Sequence, residues 1–94
     1  MRILDLSSKR NMSKAKPIAM VIHRKLGKER AYGQAFNEEN IVEIDSRLSG
    51  YKYLLIYIHE HLHIIHPDWS ETKVKKYASK YARFIWQGGF RKLI

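Results

Sequence analysis

Tyr53-Leu54-Leu55-Ile56-Tyr57-Ile58-His59-Glu60-His61-Leu62-His63 is the run that decides the fold. It continues through Ile64, Ile65 and His66 to Pro67. Over 51–66 apolar residues fall on nearly every side of a helical wheel, interrupted only by Lys52, Glu60 and the histidines. The spacing predicts a central, buried helix over 51–66. Pro67 ends it, because the residue before a proline is pushed out of the α region. His59 and His63 stand four apart, so their imidazoles leave the same face and can reach one metal ion. Glu60 is turned about 100° round the helix from His59. There it can accept a proton from water without being a ligand itself. Two histidines and a carboxylate in the pattern His-Glu-x-x-His fit zinc-assisted hydrolysis of a peptide bond, in which zinc polarises the carbonyl and acidifies the water.

A catalytic zinc takes a third protein ligand and keeps an open position. Glu71 and His66 are the candidates. His66 shares the histidine face, but it lies about 10 Å along the axis from His59 at about 1.5 Å per residue, so the helix end would have to unwind. Glu71 falls in the first turn of a following helix, where the reversed chain can bring a carboxylate back over the metal, and it is the preferred ligand. Asp68-x-x-Glu71 is also a capping-box spacing, and either Asp68 or Ser70 can cap that helix. Val74, Tyr77, Ala78, Tyr81, Phe84 and Ile85 then recur at spacings of three and four, predicting an amphipathic helix over 69–87 that stops at Gly88-Gly89.

Upstream of the site helix, Ile18-Ala19-Met20-Val21-Ile22 reads as a strand after Pro17. Residues 31–36 and 41–45 read as a hairpin around the polar turn Asn37-Glu38-Glu39-Asn40. Strands are thus expected within 18–45, and a polar, basic arm over 1–16. The expected fold class is α+β: a small three-stranded sheet on the site helix, with the C-terminal amphipathic helix behind, in one domain over 1–94.

The chain has 94 residues, too few for two independent cores. It has no cysteine, so any metal must be held by His, Asp or Glu. No signal peptide is read at the N-terminus, and no apolar stretch approaches the roughly 20 residues of a membrane span. The formal charge of +9 is uneven, with an acidic middle and basic ends. Lys73, Lys76, Lys80 and Arg83 share one face of the last helix. Together with the N-terminal arm they fit a nucleic-acid backbone, although a basic helix face is most often simply solvated.

The His59-Glu60-His61-Leu62-His63 helix, preceded by a short hairpin and followed by Pro67-Asp68-Trp69-Ser70-Glu71, resembles the zincin superfamily of metallopeptidases. Over roughly 18–90 it is most similar to very small gluzincin-like and SprT-like proteins of bacteria and phages. The resemblance implies zinc held by His59, His63 and Glu71, with Glu60 as general base. It also implies a peptide or protein substrate bound by edge pairing along 31–36 or 41–45, in the cytoplasm of a bacterial or phage-infected cell. The rival reading is a basic nucleic-acid-associated module on the same scaffold, with structural zinc or lost activity.

Overall fold

A computed structural model describes residues 18–27 and 31–92. The basic arm read over 1–16 lies outside the described residues. Three strands, β1 (Met20–Arg24), β2 (Gly33–Phe36) and β3 (Ile41–Asp45), precede two helices, α1 (Gly50–Ile65) and α2 (Glu71–Gln87). The fold is α+β.

The sheet order is β1-β3-β2. β2 and β3 form the expected antiparallel hairpin, with Gly33 opposite Ile44 and Phe36 opposite Ile41. Asn40 closes its turn at φ 55°, a left-handed conformation that asparagine tolerates. β1 runs parallel to β3, Met20 beside Ile41 through Arg24 beside Asp45. Residues 41–45 therefore lie in the middle of the sheet, hydrogen-bonded on both sides. This corrects their reading as a candidate edge for an extended substrate, and leaves β2 as the edge among those two. The first strand also sits later than the apolar run at 18–22, because pairing with β3 extends to His23 and Arg24.

Alternation along β3 turns Val42 and Ile44 inward, where both are fully buried with Ala19 and Tyr53. The outer face carries the Arg24–Glu43 ion pair at 3.0 Å. A second cluster joins Leu62 of α1 to Val74 and Ala78 of α2. The close contact between Tyr51 and Trp86, at opposite chain ends of the two helices, shows that α2 runs back along α1. α1 is less enclosed than its apolar sequence predicts: Tyr53, Glu60 and Leu62 are its buried residues, while Tyr57 and Ile65 are exposed. Among the described residues, one sheet and one helix cover two sides of α1.

Asp45 ends β3 and pins the loop after β1. Its carboxylate accepts from Leu26 N at 3.3 Å and from Arg47 N and Nε at 2.9 Å each, and meets Arg47 Nη2 at 2.7 Å. The Arg47 side-chain bonds, more than any other cause, hold the Asp45 carboxyl well below its ordinary 3.8. A carboxyl whose pKa is lowered by folding adds stability above its unfolded value and loses it as pH falls. Melting temperature should therefore drop as pH is lowered below about 4, and Asp45→Asn should flatten that part of the profile in thermal melts.

Candidate metal centre

The turn between the helices builds the site. His66 leaves the helical region at φ −125° ahead of Pro67, donating its backbone N–H to Leu62 O. Ser70 caps α2, its hydroxyl oxygen accepting from Lys73 N at 3.1 Å. The cap is thus Ser70 rather than Asp68, which removes the capping-box reading of Glu71 and leaves its side chain to the histidines.

Glu71 Oε2 lies 3.0 Å from His59 Nε2, and Glu71 Oε1 lies 2.8 Å from His63 Nε2. The two imidazole rings stand 5.1 Å apart. One ligand atom from each of these three residues falls within 4.8 Å of the others, a His-His-Glu group that can hold a metal ion. The donor set supports the fit: two imidazole nitrogens and a carboxylate suit a divalent cation, and one carboxylate already spans both Nε2 atoms. His66 is not among them. Its ring, offered by the sequence as an alternative ligand, stacks on Trp69 with centroids 3.8 Å apart and planes nearly parallel. That stack holds it at the helix end, where the distance along the axis already disfavoured it.

His59 is half-buried and His63 more open. Burial pushes the His59 imidazole below its ordinary pKa, an effect that the Glu71 carboxylate opposes. Glu60 points to the sheet side of the helix and is 8% exposed. Burial, with a smaller contribution from the Glu71 carboxylate, pushes its carboxyl up to about 7.

Two residues that the sequence reading passed over shape this surroundings. Gly33 of β2 brings its backbone so close that an added Cβ would stand 2.7 Å from Ile56 Cγ2 and 2.8 Å from Glu60 Cγ. An isolated glycine inside a strand is a signal of such an approach. Asn37, at the hairpin turn, donates its side-chain amide to the His63 carbonyl, capping an end carbonyl of α1. No local pattern announces that contact. Gly33→Ala should destabilise the protein by about 1–3 kcal/mol through overpacking and displace Glu60. Denaturant unfolding, read together with metal content, would show stability falling while the metal is kept.

The sequence-predicted cations of α2 are where the wheel puts them: Lys73, Lys76, Lys80 and Arg83 are exposed. Lys75, unremarked in the sequence, lies on the other flank with Glu71 and faces His59. No helix among the described residues is long and apolar enough to cross a membrane. Comparison with protein-family models, curated proteins and solved structures finds no match for this chain. Its class is therefore defined by fold and site: a small α+β protein with a His-His-Glu group on a helical hairpin.

Proposed function

We propose that this protein is a zinc-dependent metallopeptidase on a zincin-like scaffold. The observation that carries the reading is the convergence of His59, His63 and Glu71 beside a buried Glu60. Zinc suits this nitrogen and oxygen donor set, and when bound it supplies Lewis acidity to a substrate carbonyl and to water. Glu60 accepts a proton from the attacking water as its oxygen bonds to the peptide carbon. As the C–N bond breaks, Glu60 returns that proton to the leaving amine nitrogen. The outer edge of β2, unpaired among the described residues and next to Glu60, offers backbone groups for an extended peptide. The test is a metal-stripped protein reloaded with zinc and offered a broad peptide library read by mass spectrometry. Cleavage restored by zinc and absent in Glu60→Gln is expected; no cleavage by the zinc-loaded wild type sinks the reading.

A second reading, association with nucleic acid, is favoured by one flank of α2. Lys73 Nζ lies 4.7 Å from the Trp69 ring centroid, and Lys76 and Lys80 each lie 5.8 Å from that of Tyr77. Phe84 continues the flank, 63% exposed. Lysines interleaved with aromatic rings suit a single strand, whose phosphates and bases they can engage together. Binding of single-stranded DNA should weaken steeply with salt. Replacing the three lysines by glutamine should reduce the logarithmic salt slope by about 2. An unchanged slope would remove this reading.

A further inference from the structure

The metal centre opens sideways into a cleft between the two helices, and the cleft is basic. Its walls include His59 itself, Tyr32, Lys52, Leu55, Lys75 and Ser79. Leu55 and Tyr32 give it apolar surface, while both fixed charges are ammonium groups. Lys52 Nζ sits 4.1 Å over the Tyr32 ring, which holds it at the mouth of the cleft. Lys75 follows Glu71 by one helical turn, so the same flank of α2 that supplies the third ligand supplies this cation. Among the described residues neither lysine pairs with a carboxylate. Glu60 and Glu71, the nearby acids, lie at the metal centre rather than in the cleft walls.

We infer that this cleft is a substrate subsite that selects a carboxylate, held by Lys52 and Lys75, beside the bond placed at the metal centre. The inference rests on the peptidase reading and names its substrate class. The carboxylate comes either from an aspartate or glutamate side chain or from a free peptide C-terminus. Both present the same charge to the two lysines. Tyr32 and Leu55 accommodate the methylene stem or the neighbouring side chain, since apolar surface beside a charge suits an amphipathic group.

The test uses the zinc-loaded full chain with Glu60→Gln, so that peptides bind without being cut. Short labelled peptides are compared in matched pairs, Glu against Gln at each position, each with a free or an amidated C-terminus. Binding is read by fluorescence anisotropy. Glu peptides with an amidated end, or Gln peptides with a free end, should bind about fivefold tighter than their fully neutral partners, an advantage that shrinks as salt is raised. Which pair shows the advantage identifies the source of the carboxylate. The advantage should vanish in Lys52→Gln/Lys75→Gln and reverse toward lysine-bearing peptides in Lys52→Glu/Lys75→Glu, with zinc content unchanged in both. Equal binding of charged and neutral peptides overturns the inference, as does a preference that survives the double substitution. Wild-type cleavage without carboxylate preference defeats the subsite alone. Carboxylate-selective binding without any cleavage defeats the peptidase reading and leaves the subsite standing.

Discussion

Glu60→Gln should abolish hydrolysis, leave the metal bound and, with the metal removed, make the protein more stable above neutral pH. As the proposed general base Glu60 touches the reacting water, and losing that role should cost about 100-fold or more in turnover. Glutamine keeps the shape beside Gly33 and cannot take the proton. The stability effect has the opposite sign. Folding raises the Glu60 carboxyl from 4.5 to about 7. Between those values the unfolded chain has lost the proton and the folded chain still holds it, so stability falls as pH rises, and it stays lower above pH 7. The difference is roughly 3 kcal/mol, which glutamine avoids. In metal-free protein at pH 8 the variant should melt about 10–20 °C higher, and below pH 4.5 the two curves should meet. Parallel melting profiles at pH 5 and pH 8 would contradict the burial argument, whatever the activity assay shows.

Glu71→Ala and His63→Ala should each take the metal content from one ion per chain towards none, and hydrolysis with it. Each removes a donor of the His-His-Glu group, so the loss of affinity should exceed the roughly 100-fold that a supporting outer contact is worth. The two substitutions differ in the metal-free state. Glu71→Ala takes the acceptor from both imidazoles at once, whereas His63→Ala leaves the His59–Glu71 contact at 3.0 Å in place. Glu71 is 56% exposed, so this contact adds little to stability and the melting temperature of the metal-free variant should barely move. His66→Ala is the control. Its ring lies on Trp69, and its removal should leave metal stoichiometry unchanged. Metal loss in His66→Ala with retention in Glu71→Ala would reverse the ligand assignment.

The features legible in the sequence are those written locally. The site helix, its stop at Pro67 and the return of the chain at Glu71 follow from spacings within twenty residues, and the α+β class follows from strands read ahead of two helices. What escaped depends on pairings between distant positions. Alternation identifies strands but carries no information about their order, so nothing in residues 41–45 announces the middle of a sheet. Competing caps two residues apart, Asp68 and Ser70, differ only in which side chain the turn aims at Lys73. The exposure of Tyr57 and Ile65 depends on which sides of α1 the sheet and α2 cover, a matter that helical periodicity does not report. Gly33 was readable as a close approach, although its partner, Glu60, was not.

The three residues able to hold a metal ion all fall between positions 59 and 71, on one helical hairpin. Loop closure over so short a span costs little entropy, and contacts of low sequence separation form early. Glu60, by contrast, acquires its enclosed setting only once Gly33, far back in the chain, has docked. On the proposed function, metal capture and acid–base readiness are therefore separable in time: a nascent hairpin would gather its ion first, and the sheet would enclose Glu60 afterwards.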